Sequence, residues 1–176
     1  MSDPSTSHSI RPRPLSPAEE IMRDFRAALA RSPVLMVRRE DSGQHAIPMS
    51  AQFDFEAGGR PGHGGPIWFF TTRDNRLAPG GPAMAQFASL DHALFACLSG
   101  RLAEEPDAGL IDRFWSRGVA AWYRGGRADP ALLLMRMDID DIEIWTADLS
   151  LKGWFKRLTG GTLQASEAGK HLHEAL

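Results

Sequence analysis

The sequence lacks the residues and segments on which several classes of protein depend. Cys97 is the only cysteine among 176 residues, so the chain can form neither an internal disulfide nor a thiolate metal cluster. The longest apolar run, Ala93 to Leu98, is too short to cross a bilayer as a helix. Lys and Arg number 20 against 22 Asp and Glu, whereas proteins that bind nucleic acid normally carry a basic excess. We therefore expect a cytoplasmic protein that binds neither nucleic acid nor a membrane.

The composition nevertheless supports a packed core, because 43% of the residues are hydrophobic and 24% are charged. Residues 1–15 are rich in Pro, Ser and Arg and predict a disordered N-terminal tail without the apolar centre of a signal peptide. Residues 16–160 predict one folded domain, and the polar residues 161–176 predict a C-terminal arm.

The domain opens on a helix and continues mainly as strands. Ser16, Pro17 and Glu19 have the spacing of a capped helix start, and Ile21, Phe25 and Leu29 recur every four residues on one face. A second helix is predicted from Asp107 to about Arg117, burying Leu110, Ile111, Phe114 and Trp115. Strands are predicted over 34–39, 45–53, 66–71, 83–89, 93–104, 131–138 and 142–147. Their short connections favour an antiparallel, barrel-like sheet with two flanking helices.

One strand has an unusual alternation. In His45 to Phe53, one face carries Ile47, Met49, Ala51 and Phe53, and the other carries Ala46, Pro48, Ser50 and Gln52. Since proline cannot donate a hydrogen bond to a neighbouring strand, Pro48 indicates an edge, a bulge or a ligand at that point.

Several apparent motifs have simpler explanations. The glycine-rich segment Gly58 to Gly65 lacks the Lys and Ser/Thr of a phosphate loop and is interpreted as a hairpin loop. His171 and His173 have no third ligand nearby in sequence, so we predict no metal site. No nucleophile is paired with a base in the sequence, although a triad assembled from distant residues stays open.

The segment from Ile67 to Arg76 carries a stronger signal. An apolar strand runs into Thr71 and Thr72 and then into Arg73, Asn75 and Arg76. Thr72 or Asp74 can cap the following turn, and two arginines three residues apart could converge on a phosphate. The alternative is a capped turn with two solvated arginines.

With these residues in view, the chain resembles the general stress protein 26 group of the pyridoxamine 5′-phosphate oxidase-like, FMN-binding split-barrel superfamily. The resemblance covers roughly residues 17–160 and depends on the order and spacing of short blocks. These blocks are His45–Ser50, Ile67–Asn75, Asp91–Gly100, Ile111–Trp115, Val119–Tyr123, Gly125–Gly126, Asp129–Pro130 and Ala131–Trp145. The resemblance implies a six-stranded antiparallel split β-barrel, a homodimer, and FMN bound in a groove at the dimer interface.

The resemblance also implies roles for individual residues. Three segments of the chain correspond to the ring, the ribityl chain and the phosphate of the cofactor. Pro48, Met49 and Ser50 would run beside the isoalloxazine ring; Phe69, Phe70, Thr71 and Thr72 would lie near the ring and ribityl chain; Arg73, Asn75 and Arg76 would meet the phosphate. We also expect Trp122 or Trp145 of the partner chain to lie beside the exposed face of the ring, where a planar substrate could stack; the alternative is that both tryptophans are core residues.

Two departures from the group affect the cofactor site. The group usually has Arg before Pro-Met, where this chain has Ile47, so either one cationic contact is missing or Ile47 belongs to the barrel core. The phosphate-end cation of many relatives corresponds to Arg76 or to Leu77. In addition, the tail from Ser166 to His171 lacks the Arg-x-His pattern of the vitamin B6 oxidases, which argues against pyridoxamine phosphate oxidation.

The sequence thus predicts an FMN-binding oxidoreductase of unknown substrate, with a small-molecule redox substrate or donor as its partner. A second hypothesis is a non-catalytic flavin-binding stress-response module that sequesters or senses FMN. A third is a split barrel that binds another ligand, such as a deazaflavin or haem; for haem, His45 and His92 are the candidate axial ligands. No general acid or base can be named from the sequence.

Overall fold

The computed structural model describes residues 13–53, 65–147 and 171–175. Most of the predicted N-terminal tail, nearly all of the glycine-rich segment and most of the predicted C-terminal arm lie outside the described residues. The helices are α1 Pro17–Arg31, α2 Ala108–Phe114 and α3 Arg117–Ala120; the strands are β1 Val34–Arg39, β2 Ile47–Gln52, β3 Ile67–Thr72, β4 Gly81–Ala88, β5 Leu94–Glu104, β6 Leu132–Thr146 and β7 His171–Ala175.

The first helix begins at the residue that the sequence predicts. The Ser16 side chain accepts a hydrogen bond from the Glu19 backbone N–H, and the Ser16 N–H donates to Glu19 Oε2 at 2.6 Å. These reciprocal bonds satisfy N–H groups that have no partner within the helix. The predicted stripe of Ile21, Phe25 and Leu29 is buried, so α1 packs on the barrel through this face.

The strands form a closed six-stranded antiparallel barrel. Their order is β3-β2-β1-β4-β5-β6, and pairing of β3 with β6 closes the sheet, while β7 adds to β6 beyond the barrel. Closure pairs β3 with β6 and so removes much of the free strand edge that would otherwise invite association with other chains. The predicted split-barrel architecture is confirmed.

Apolar side chains pack on both sides of the barrel wall. The interior holds Leu35, Val37, Phe69, Leu98 and Met135, together with the buried face of α1. A second group, which we call the outer cluster, packs between the barrel wall and the α2–α3 segment. Its buried members are Trp68, Phe70, Phe114, Val119, Leu132 and Leu134. Because β3 contributes to both groups, this strand is buried on both faces.

Strand β6 corrects one sequence-based prediction. The two strands predicted over 131–138 and 142–147 are one strand, because Ile139 and Asp141 stay paired with Gly100 and Ser99 of β5. A register shift between Ser99 and Gly100 absorbs the irregularity. At Gly100 a Cβ atom would lie 1.9 Å from the Asp138 carbonyl oxygen, so only glycine allows the two strands to approach this closely.

The second predicted helix is also corrected. It ends at Phe114, Trp115 is extended, and the Ser116 side chain accepts from the Val119 N–H to begin the separate helix α3. Of the four side chains predicted to be buried there, only Phe114 is fully buried, and Leu110, Ile111 and Trp115 are partly buried. The reason is that α2 covers the outside of the barrel, where no other described helix or strand lies above it. No helix in the described ranges is long and apolar enough to span a membrane.

Candidate functional site

A groove of about 440 Å³ opens on the outside of the barrel. It is lined by strands β1 and β2, by the end of β3 and the turn that follows it, and by α3 with the residues up to Tyr123. We call this last part the α3 wall. The lining residues are Val34, Pro48, Met49, Ser50, Gln52, Phe70, Thr71, Thr72, Asn75, Gly118, Val119, Trp122 and Tyr123. Its volume lies within the range of small-molecule sites, roughly 300–1,000 Å³.

The groove opens where two neighbouring strands separate. Strand β2 pairs with β3 only at Ala51 and Gln52, whereas its other edge pairs with β1 from Ile47 to Ser50. At Pro48, β2 therefore has β1 on one side and the groove on the other. A proline fits this position because no strand on the groove side requires a hydrogen bond from its nitrogen. The prediction of an edge or a ligand at Pro48 agrees with this geometry.

The α3 wall is anchored to the outer cluster. Val119 is buried in the outer cluster. The Tyr123 ring lies 6.2 Å from Phe70 and 6.4 Å from Trp115, and Phe70 and Trp115 meet edge to face at 5.7 Å. Such aromatic pairs stabilise a fixed arrangement beyond simple burial. The backbone that carries Trp122 is therefore anchored on both sides.

The polar groups of the groove are hydroxyls and amides. Thr72 Oγ1 donates to Asp74 Oδ1 at 2.5 Å, and Asn75 Oδ1 accepts from the Leu77 N–H at 2.9 Å. Asn75 thus fixes the turn after β3, where Thr72 or Asp74 was predicted to do so. Tyr123 is the only titratable lining residue in the described part of the chain, and burial raises the pKa of its phenol. The groove is consequently uncharged at neutral pH.

The two predicted phosphate-binding arginines have different environments. Arg73 forms a pair of hydrogen bonds with Glu104, at 2.8 and 3.3 Å, and its Nε donates to the Pro130 carbonyl at 3.2 Å. Hydrogen bonding to Glu104 and its negative charge raise the pKa of Arg73. Arg76 donates from Nη1 to the His45 carbonyl oxygen at 3.1 Å. Neither guanidinium lines the groove.

Comparison with known proteins identifies the family. The profile described as pyridoxamine 5′-phosphate oxidase like matches residues 19–163. A solved structure from the phytopathogen Xanthomonas citri, described as a general stress FMN/FAD binding protein, is 41% identical, covering 75% of this chain and 92% of that chain, with a TM-score of 0.65. The chain belongs to the pyridoxamine 5′-phosphate oxidase-like family.

Two further structures extend this finding to the general stress proteins. A general stress family protein from Xanthomonas campestris pv. campestris is 39% identical over 78% of this chain and 94% of that chain, with a TM-score of 0.67. A protein of Jannaschia sp. CCS1, described as a general stress protein 26, is 25% identical over 89% and 99%, with a TM-score of 0.68. No curated protein matches the chain. The predicted resemblance to this group is confirmed.

In this pyridoxamine 5′-phosphate oxidase-like chain, the groove brings together most of the predicted cofactor-binding residues. Those that line it are Pro48, Met49, Ser50, Phe70, Thr71, Thr72, Asn75 and Trp122. Phe69 is fully buried inside the barrel. Trp145 lies on the outer sheet face, where its ring stacks on His171 at 5.5 Å.

Five lining residues were not predicted: Val34, Gln52, Gly118, Val119 and Tyr123. The sequence does contain evidence for Gln52, because the alternation in His45 to Phe53 places it on the same face as Pro48 and Ser50. Val34 reaches the groove because it pairs directly with Ser50, and this register depends on contacts distant in sequence.

The side chains at two positions where the chain departs from the family pattern, Ile47 and Leu77, both contact the barrel interior. Ile47 packs against the barrel interior, which agrees with the interpretation that Ile47 belongs to the barrel core. Leu77 is also buried there, so of the two positions that could correspond to the phosphate-end cation of relatives, only Arg76 lies outside the core.

His171, His173 and Ser89 each pair with a neighbouring carboxylate. No group of three or more His, Cys, Asp and Glu side chains in residues 13–53, 65–147 and 171–175 could hold a metal ion. His171 pairs with Glu143 at 2.7 Å and His173 with Asp141 at 2.8 Å across the β6–β7 ladder. Ser89 donates to Asp91 Oδ1 at 2.6 Å and accepts from the Leu94 N–H, so its hydroxyl fastens a turn.

Proposed function

We propose that this protein binds FMN in the groove between β2 and α3 and acts as an oxidoreductase on a small molecule. The observation that carries the proposal is the split between β2 and β3. It exposes, in one uncharged groove, residues of the two segments that the family resemblance assigns to the flavin ring and ribityl chain, Pro48–Ser50 and Phe70–Thr72. The Xanthomonas citri relative described as an FMN/FAD binding protein supports the same ligand.

The residues present fit the parts of this cofactor. The apolar surface of Phe70 suits a planar ring, and Ser50, Gln52 and Thr72 offer hydroxyl and amide groups to its polar edge and to the ribityl chain. Arg76 follows Asn75 directly and has one side-chain hydrogen bond within the described part of the chain. A guanidinium carries five N–H donors, so Arg76 has donors left for a phosphate.

The protein's own residues would bind and orient the flavin rather than move protons. A bound flavin supplies hydride or electron transfer. No lining residue in the described ranges titrates near neutral pH, since the pKa of Tyr123 is raised from a value that is already alkaline. An oxidoreductase built on this groove would therefore take its protons from solvent or substrate.

The same observation favours a second candidate, a flavin-binding module that sequesters or senses FMN without turnover. Rapid mixing of the FMN-loaded protein with NADH or NADPH distinguishes the two. Reduction of bound FMN faster than that of free FMN supports the oxidoreductase. Reduction no faster than that of free FMN supports the module.

The absorption spectrum of the protein mixed with each ligand tests the cofactor itself. We expect the FMN bands to shift and the flavin fluorescence to change until one FMN is bound per chain. In the described part of the chain no histidine lines the groove, and His45 and His92 are both exposed. A haem-type spectrum, with no change in the FMN bands, would reject the proposal.

We also propose that the protein is a homodimer formed through the outer face of its sheet. Phe95 and Trp145 are direct partners across β5 and β6, and each is 40% exposed. Met36, 42% exposed, lies on the outer face of β1. Apolar groups of this size on one face favour burial against a second copy. Val34 joins this face to the groove, so a dimer would place the groove beside its interface.

Sedimentation velocity over a dilution series tests the dimer. We expect a dimer at high concentration that dissociates at lower concentration without FMN than with it, since a ligand bound at an interface stabilises the complex. A monomer at every concentration, with and without FMN, would contradict the proposal.

A further inference from the structure

Trp122 is the most exposed large apolar side chain among the described residues. It is 83% exposed and lines the groove. A tryptophan usually buries most of its large ring, so an indole left in solvent at the mouth of a cavity loses favourable packing unless a ligand covers it.

The backbone that carries the indole is held in place by neighbouring residues. Val119 is buried three residues before Trp122, and its carbonyl oxygen accepts a hydrogen bond from the Trp122 N–H at 3.0 Å. Tyr123, the next residue, packs on Phe70 and Trp115. Because the backbone on both sides is anchored, Trp122 can offer a stacking surface with little loss of entropy on binding.

The α3 wall of the groove disfavours charged ligands. Its lining holds no Asp, Glu, Lys, Arg or His within the described ranges, and a charge moved from water into such a site would find no counter-ion. The nearest predicted cation, Arg76, lies beyond Asn75 at the phosphate end and not on the α3 wall. A ligand on the α3 wall therefore gains from apolar and stacking contacts alone.

We infer that the groove takes, as its second ligand, an uncharged planar aromatic molecule that stacks on the Trp122 indole. This inference rests on the proposed function, in which the flavin lies between β2 and α3 in the same groove and leaves the Trp122 indole uncovered at its mouth. It excludes phosphorylated or carboxylated aromatic compounds as ligands of the α3 wall, because their charge would remain unpaired.

The test uses two probes that share a ring system and differ in charge. Menadione is an uncharged naphthoquinone, and 1,4-naphthoquinone-2-sulfonate carries one negative charge. Calorimetric titration of the full-length FMN-loaded protein with each probe gives two dissociation constants. The variants are Trp122→Ala, Trp122→Phe and, as a control, Leu90→Ala, which removes a 76% exposed side chain outside the groove.

We expect menadione to bind at least about tenfold more tightly than the sulfonate. We expect Trp122→Ala to weaken menadione by about tenfold, the size of one good aromatic contact, while Trp122→Phe retains most of the affinity and Leu90→Ala leaves it unchanged. Equal binding of the two probes, or unchanged menadione binding by Trp122→Ala, would overturn the inference. Loss of the dimer in Trp122→Ala with unchanged menadione binding would likewise overturn it and assign the indole to the subunit interface.

Flavin affinity is measured separately, by fluorescence titration of each variant before menadione is added. Failure of the wild-type protein to bind FMN would reject the proposed function. Menadione binding by the flavin-free protein, abolished by Trp122→Ala, would then still support the stacking role of Trp122.

Discussion

The contrast between Arg76 and Arg73 gives a sharp prediction about the phosphate end of the site. All three nitrogen atoms of the Arg73 guanidinium are bonded, two to Glu104 and one to the Pro130 carbonyl. Arg76 has a single hydrogen bond, to the His45 carbonyl, in the part of the chain that the structure describes. We therefore expect the FMN phosphate to be bound by Arg76 and not by Arg73.

The magnitude follows from the kind of bond that is lost. A hydrogen bond to a charged group contributes about 1.5–3 kcal/mol, which corresponds to roughly a tenfold to hundredfold change in affinity. Arg76→Ala should weaken FMN by that factor and leave riboflavin, which has no phosphate, within about twofold of wild type. Arg73→Ala should change both ligands equally and by less than about threefold. Its pair with Glu104 is half-exposed, and exposed ion pairs contribute little to stability.

Fluorescence titration with FMN and riboflavin, at low and at moderate salt, measures these effects. Arg76→Lys is the control that keeps the charge, and it should restore most of the FMN affinity at low salt. Equal losses of FMN and riboflavin in Arg76→Ala would refute the reasoning. A selective loss of FMN in Arg73→Ala would refute it too, because it would mean that Arg73 leaves Glu104 to meet the phosphate.

Three other predictions follow from particular side chains. Ile47→Arg should lower the unfolding free energy by at least about 1 kcal/mol without increasing the affinity for FMN, because position 47 packs against the barrel interior. Thermal unfolding with and without FMN measures both effects, and a gain in FMN affinity would contradict this prediction. Phe95→Glu should shift sedimentation of the protein from dimer to monomer, since a charge would enter the proposed interface, and an unchanged dimer would place the interface elsewhere. Burial raises the pKa of Tyr123, so its stabilising contribution is fully present below the unfolded pKa of about 10 and is lost as pH rises through the folded pKa. Tyr123→Phe should therefore reduce the loss of thermal stability above pH 10, and an identical alkaline loss would contradict this.

Features that depend on neighbouring residues could be predicted from the sequence. The Ser16–Glu19 cap is complete within four residues, and the alternation of β2 determines that Met49 and Ala51 face the core while Pro48 and Ser50 face outward. The barrel itself followed from the resemblance and from the short connections between strands.

Features that depend on distant pairing could not be predicted in this way. Arg73 meets Glu104 across 31 residues of sequence, so its hydrogen-bonding capacity is used by a partner that local patterns do not reveal. The continuity of β6 likewise depends on the close approach of Gly100 to Asp138. The separate helix α3 was missed because Trp115 and Ser116 interrupt what the apolar spacing predicts as one helix.

Placing a larger side chain in the groove gives the most direct test of whether FMN binds between β2 and α3. Gly118 lines the groove, and a Cβ atom there would lie 3.7 Å from Ser116 Oγ, an ordinary contact. Leucine is also a better helix former than glycine, so Gly118→Leu should fold normally. Gly43→Leu is the matched control, since a Cβ at Gly43 meets no atom within 4 Å and this exposed turn lies outside the groove.

The measurement is the FMN dissociation constant of the wild-type protein and both variants, with thermal unfolding to verify that each is folded. The account predicts that Gly118→Leu binds FMN at least about tenfold more weakly, a change of roughly 1.4 kcal/mol, while Gly43→Leu binds it as the wild type does. A folded Gly118→Leu protein with wild-type affinity for FMN would contradict the account.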